Sequence, residues 1–312
     1  MSIPESEPQP HQPVLYHESL KYLQPKPEGR YVDGTLGAGG HAEGILTASS
    51  PGGILLGLDV DNLAIDISAK RFTPYGNRCI IRQASYAEII DQIKSLGWNC
   101  VDGVLLDLGL SSMQLNKAER GFSFLKEADL DLRFNPEKGK TAAELINTFS
   151  EEEIAEIIWK YSEDPRSRKI AKSIVENRPI SKTTELAGLI QTAYQGKRGK
   201  THPATRTFQA LRIAVNNELE VLEEGLENSL MALCTGGRIA VITFHSLEDR
   251  IVKRIFKRES IDCICPPEQP LCNCEHQATI RVITKKAVKP SQEEITNNPR
   301  SRSAKMRVAE KI

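Results

Sequence analysis

Four apolar runs alternate with helical patterns along the first 110 residues, and this alternation limits the fold more than anything else in the chain. The runs lie at 30–36, 53–58, 79–82 and 101–108, with helical patterns at 41–49, 63–72 and 86–96 between them. Strands with helices between them imply a parallel sheet covered on both faces, an α/β fold. The second run is closed by Asp59 and the fourth by Asp107.

The alternation then stops for about a hundred residues, far beyond the roughly 2–6 residues usual after a strand in such units. Residues 112–207 hold no strong strand signal. Ser150 with Glu153 forms a capping box opening a helix over 154–161, and helical patterns follow at 167–176 and 184–194. The sheet pattern resumes with a helix over 216–233, the turn Thr235-Gly236-Gly237, a strand over 238–244 and a helix over 246–258. Residues 279–284 and 304–309 alternate apolar and polar, as a terminal antiparallel pair would. The expected organisation is a split core, 1–112 and 211–312, around a helical insertion at 113–210 that serves substrate recognition.

Hydrophobic residues make up 39% and charged residues 26% of the 312, as in ordinary globular proteins. No apolar run approaches the roughly 20 residues that span a bilayer. The amino terminus, MSIPESEPQP, has neither a signal peptide's apolar stretch nor a presequence's basic face. A cytoplasmic protein without a membrane partner is expected. The 41 Lys and Arg balance 41 Asp and Glu, but the charges are segregated. Residues 281–312 hold nine basic residues against three Glu, and 196–212 hold five with no acid. Such patches suit a polyanion as well as a merely solvated surface. Cys79, Cys100 and Cys234 are scattered and read as buried reduced thiols. Cys263-x-Cys265 and Cys272-x-Cys274, with His276 nearby, match a metal site in number but not in the usual C-x₂₋₄-C spacing, so no metal is assigned.

The segment from Asp33 to His41, DGTLGAGGH, lies where a first strand turns into a first helix. Glycines there permit a sharp turn and let a ligand approach the amides of the helix start. Twenty residues beyond Gly39, Asp59 ends the next strand, where dinucleotide folds bind ribose hydroxyls. Both NAD and S-adenosyl-L-methionine use this geometry. Asp33 directly before the first glycine and Asp107 at the end of the fourth strand favour the methyl donor.

The residues resemble the bacterial RsmH (MraW) methyltransferases, which make N4-methylcytidine in 16S ribosomal RNA. The resemblance runs from about His11 to Lys311. It rests on HQPVLYHE (11–18), YVDGTLGAGGHAEGIL (31–46), VDGVLLDLGLSSMQL (101–115), ERGFSF (119–124), HPATRTFQALRIAVNNELE (202–220), GGRIAVITFHSLEDRIVKRIF (236–256) and NPRSRSAKMRVAEK (298–311). It implies a Rossmann-like class I fold dependent on S-adenosyl-L-methionine, with the helical domain inserted after the fourth strand. The implied substrate and partner is 16S rRNA within the small ribosomal subunit. The implied cofactor contacts are Gly39, Gly40, His41, Asp59, Tyr86, Asp107 and Gln114. Tyr86 stands where relatives often have Phe, and Met113 where many have Pro.

The exocyclic amine of cytosine is a weak nucleophile, because its lone pair is delocalised into the ring. Methyl transfer to it needs alignment and an acceptor for the N4 hydrogens. Asp107 is the candidate catalytic acceptor by position, and a role in orienting the cofactor stays equally open. The target base must leave its stack, which suits a single-stranded or distorted site. The helix over 246–258 offers Arg250, Lys253, Arg254, Lys257 and Arg258 as a phosphate face. His202 to Phe208 and His245-Ser246 are expected near the target base. A Rossmann dehydrogenase and a non-catalytic RNA-binding protein remain the competing readings.

Overall fold

A computed structural model describes residues 13–110, 120–194, 202–266, 268–269 and 271–312. The apolar runs become β1 (Arg30–Asp33), β2 (Ile54–Asp59), β3 (Cys79–Gln83), β4 (Val101–Asp107) and β5 (Leu233–Thr243). These five pair in parallel in the order β3-β2-β1-β4-β5. The terminal pair is antiparallel as expected. With β6 (Ile280–Val282) and β7 (Lys305–Lys311), it extends the sheet beyond β5 to the order β3-β2-β1-β4-β5-β7-β6. This is the Rossmann-like arrangement, and β1 and β4 lie side by side at the point where strand order reverses.

Helices α1 (Tyr16–Leu23), α2 (Gly40–Ala48), α3 (Asn62–Phe72) and α4 (Ile89–Ser95) belong to this core. Leu55, Leu56 and Leu58 of β2 and Val104, Leu105 and Leu106 of β4 are all fully buried, which is why these strands read as apolar runs instead of alternating ones. The helix expected over 86–96 opens as a 3₁₀ turn, Tyr86–Glu88, capped by Ser85.

The chain divides into two compact units, residues 1–109 with 223–312, and residues 110–222. The second unit contains α5 (Ala142–Thr148), α6 (Glu151–Ser162), α7 (Ser167–Glu176), α8 (Thr183–Ala193) and α9 (Ala204–Asn216). Ser150 and Glu153 form the expected capping box. Ile146, Ile154, Ile158, Ile170, Ile174 and Ile190 pack one core with Phe208 and Leu211 of α9. The boundary expected at 210 therefore falls inside α9. The helix expected to begin at 216 is instead α10 (Glu218–Ala232), separated from α9 by Asn217 in a left-handed conformation (φ 48°).

One thiol expectation is corrected. Cys100 and Cys234 are joined in a disulfide with a Cα separation of 5.0 Å. The parallel register pairs Val101 with Leu233, so the residues flanking that pair are neighbours despite a sequence separation of 134. Among the described residues, no helix is long and apolar enough to cross a membrane.

Candidate active site

Three aspartates gather at the carboxyl edge of the sheet, because β1, β2 and β4 each end on one. The glycine loop after β1 is fixed to them by its own backbone. The Gly34 amide donates to Leu105 O at 2.9 Å and the Leu36 amide to Leu58 O at 2.9 Å, so the loop stays registered on both neighbouring strands. The Gly37 amide donates to Asp59 Oδ2 at 2.8 Å, and the Asp61 amide to Asp59 Oδ1 at 2.9 Å. The Thr35 amide donates to Asp33 Oδ1 at 3.1 Å, and Thr35 Oγ1 accepts from the Asp107 amide at 2.6 Å. Thr35, not anticipated from the sequence, thus ties the end of β4 to the loop.

Glycine is required at two turns here. Gly37 (φ 51°) and Gly39 (φ 78°) both occupy the left-handed region. A Cβ on Gly39 would stand 2.4 Å from the Phe72 ring, and one on Gly40 would stand 2.4 Å from Pro13 Cγ. A Cβ on Gly34 would meet Leu106 and the Cβ of Tyr86. Tyr86 is thereby placed beside the loop, with its ring against the backbone of Gly225.

His41 opens α2 and is buried. Its Nε2 lies 3.7 Å from Asp107 Oδ2, an electrostatic contact too long for a hydrogen bond. Its ring stacks on Tyr16, with centroids 6.1 Å apart. Burial pushes the imidazole down to about 4, partly offset by the nearby Val14 backbone, so His41 is neutral at pH 7. Burial lifts all three acids. Asp107 rises to about 7, helped by the charges of Asp33 and Glu248 and opposed by the Gly109 backbone. Asp33 rises to about 7 against hydrogen bonds from Thr35, with the charge of Asp59 adding to the lift. Asp59 rises to about 6, held back by the amides it accepts from. Asp107 Oδ1 has no hydrogen-bond partner among the described residues.

Glu248 is a second residue the sequence reading passed over. It is buried, and its Oε2 accepts from the Phe244 and His245 amides at 2.7 and 3.1 Å. His245 caps the helix α11 (Ser246–Glu259), and its Nε2 sits 2.9 Å from Glu248 Oε1. The H-x-x-E spacing is a capping-box signal that was readable from the sequence. Phe244 packs against Gly109, where a Cβ would stand 2.6 Å from its ring.

The structure brings together Gly39, Gly40, His41, Asp59, Tyr86 and Asp107 of the expected site. Gln114 lies outside the described residues. The expected phosphate face of α11 is narrower than its sequence suggests. Ile251, Val252, Ile255 and Phe256 are buried as anticipated, but Arg254 pairs with Glu223, and Arg258 pairs with Glu227 at 2.8 Å. Asp249 holds Arg307 at 2.7 Å and Lys305 at 3.2 Å.

An adenosine-type cationic donor fits this cradle. Glycines at positive φ leave room at the loop, and the Asp33 carboxylate lies within electrostatic reach of both Asp59 and Asp107. Arg71, a basic side chain at the loop, is already spent on Ala38 O at 2.8 Å and Glu43 at 2.6 Å. A dinucleotide's diphosphate would meet those carboxylates unfavourably, whereas a sulfonium offsets them.

Comparison with known proteins agrees. Residues 8–312 match the MraW methylase family. A protein named ribosomal RNA small subunit methyltransferase H from Dehalococcoides mccartyi is 52% identical, over 97% of this chain and 87% of its own length. Proteins of the same name from Thermomicrobium roseum and Syntrophus aciditrophicus are 48% and 47% identical. They cover 97% and 99% of this chain, and 94% and 100% of their own lengths.

Proposed function

The chain belongs to the MraW methylase family, and from that premise we propose that it methylates the exocyclic N4 of a cytidine in 16S ribosomal RNA. It is a ribosomal RNA methyltransferase, and its methyl donor is S-adenosyl-L-methionine. The finer reading, N4 of cytidine within the small subunit, is carried by one observation: the buried Asp107 Oδ1 at the end of β4, which has no hydrogen-bond partner among the described residues.

An amine that becomes tetrahedral while its hydrogens stay bound needs an acceptor already in place. Asp107 supplies it. The Asp107 amide is locked to Thr35, and its Oδ2 faces a neutral His41 that leaves the carboxylate's charge uncompensated. When bound, S-adenosyl-L-methionine supplies an electrophilic methyl group on a sulfonium. Gly37, Gly39 and Gly40 leave the space beside α2 that the donor needs, and Asp59 offers carboxylate lone pairs to ribose hydroxyls. The proton lost from N4 becomes acidic once the nitrogen is methylated, so Asp107 need not remove it beforehand.

Methylation of the cytosine ring carbon would instead require a thiolate to add to the base. Cys79 begins β3, and Cys100 and Cys234 lie at the amino ends of β4 and β5, all away from the carboxyl edge. The remaining four thiols lie between α11 and β6, where both elements meet the amino edge. This distribution supports attack by nitrogen.

The test is label transfer. Small subunits from a strain lacking the gene, incubated with the chain and methyl-labelled donor, should take label into 16S rRNA. Label confined to protein, or turnover of a nicotinamide cofactor in place of label transfer, would reject the assignment.

A further inference from the structure

Residues 260–279 connect α11 to β6 and contain no helix or strand among the described residues. None of those described is buried, and Ile261, Ile264 and Leu271 expose large apolar side chains. The ends of the loop are closed on each other. The Thr279 amide donates to Glu259 O at 2.8 Å, and the Ala278 amide to Asp262 Oδ1 at 3.1 Å. A loop this long without a core of its own needs another device to hold one conformation.

That device is visible in its centre. The sulfurs of Cys263, Cys265, Cys272 and Cys274 all lie within 4.8 Å of one another. Cys272 and Cys274 are 3.6 Å apart, and Cys274 and Cys263 are 3.9 Å apart. A sulfur–sulfur bond is about 2.0 Å long, so these four are not paired as disulfides. The separations match a different geometry. Four thiolates about 2.3 Å from one tetrahedral ion stand about 3.8 Å from each other. The backbone amide of Ile264 points at Cys274 Sγ at 3.5 Å, a donor that favours the ionised sulfur. His276 does not belong to the gathered group, and its Nδ1 lies 2.9 Å from Ile261 O.

We propose that Cys263, Cys265, Cys272 and Cys274 bind one zinc ion as a tetrahedral thiolate site that folds the 260–279 loop. Binding one Zn²⁺ displaces the four thiol protons to solvent and leaves a site with net charge of minus two. Two C-x-C pairs replace the familiar wider spacing, and the four sulfurs still gather within 4.8 Å of one another. The ion is structural, since four protein ligands leave no open position for a substrate. The loop joins the carboxyl end of α11 to the start of β6, at the amino edge of the sheet, whereas the three aspartates sit at the carboxyl edge. Loss of the ion therefore leaves donor binding intact.

The full chain, purified with a thiol reductant and without chelator, should carry about one zinc per molecule by plasma mass spectrometry. Cobalt in its place should give the visible bands of a tetrahedral tetrathiolate. The four cysteines should resist alkylation until zinc is removed, and chelation should open 260–279 to limited proteolysis that added zinc reverses. Cys272→Ser should lose the metal while binding S-adenosyl-L-methionine as the parent does. If that variant fails to fold, the stoichiometry and cobalt spectrum of the unmodified chain still decide. Protein with no zinc after growth in zinc-supplemented medium, iron with sulfide, disulfides among the four, or unchanged metal content in Cys272→Ser would each overturn the proposal.

Discussion

Replacing Asp107 with Asn keeps the side chain's shape and removes its charge, so it separates an acceptor from a packing residue. Asparagine retains one carbonyl oxygen, but its amide turns the other position into a donor facing the target amine. A hydrogen bond to a charged group contributes about 1.5–3 kcal/mol, so single-turnover methylation should fall about 10- to 150-fold. Donor affinity, read by calorimetry, should change little. Stability should move in the opposite direction. The lift of Asp107 from 3.8 to about 7 corresponds to about 4 kcal/mol of destabilisation above pH 7. A side chain with 24% of its surface open to solvent feels only part of that. Because the folded value is raised, the unmodified chain binds more protons folded than unfolded between pH 4 and 7, and loses stability as pH rises through that window. Asp107→Asn should therefore match the parent near pH 4 and exceed it by about 1–3 kcal/mol above pH 7, measured by urea unfolding. Loss of donor binding in proportion to rate would show that Asp107 only shapes the pocket. Equal pH dependence of stability in parent and variant would refute its burial as a charge.

Three further outcomes follow from the same geometry. The single-turnover rate of the parent should rise with pH around 7 as Asp107 ionises, with Asp33 titrating alongside it, and a rate flat from pH 5 to 9 would contradict an ionised acceptor. Gly39→Ala places a methyl 2.4 Å from Phe72 on a residue at φ 78°; it should cost about 1–3 kcal/mol of stability and weaken donor binding, and unchanged calorimetry would remove Gly39 from the cradle. Asp59→Ala should weaken donor binding by about 1.5–3 kcal/mol. Because Asp59 also holds the Gly37 amide, the loss should be accompanied by faster amide exchange at Gly37, and unchanged affinity would remove the ribose contact.

The sheet was legible because buried parallel strands leave continuous apolar runs, and because their terminal acids mark the ligand edge. The residues that fix the site were harder to read. Thr35 acts through a backbone amide 72 positions away, and Glu248 through amides at the start of its own helix. Neither contact leaves a mark in a periodic pattern, although the His245–Glu248 spacing was available. Helix α9 was not read from the sequence, which placed the next helix only from 216. A single left-handed Asn217 makes the division. The same helix crosses the boundary expected at 210, since Leu211 shares a core with Phe122, Leu130 and Leu132. The Cys100–Cys234 bridge depends on the register of β4 against β5. The gathering of Cys263, Cys265, Cys272 and Cys274 depends on the path of a loop. Both are long-range facts that spacing alone does not encode.

The central claim is that the acceptor at Asp107 serves a cytosine amine in 16S rRNA. Mass spectrometry of nucleosides digested from 16S rRNA, compared between the parent strain, a strain lacking the gene and the same strain carrying Asp107→Asn, tests it most directly. The account predicts that a cytidine methylated at N4 is lost on deletion, returns with the unmodified gene and stays low with Asp107→Asn. Loss of a ring-carbon or ribose methylation instead, or an unchanged nucleoside profile in the deletion strain, would contradict it.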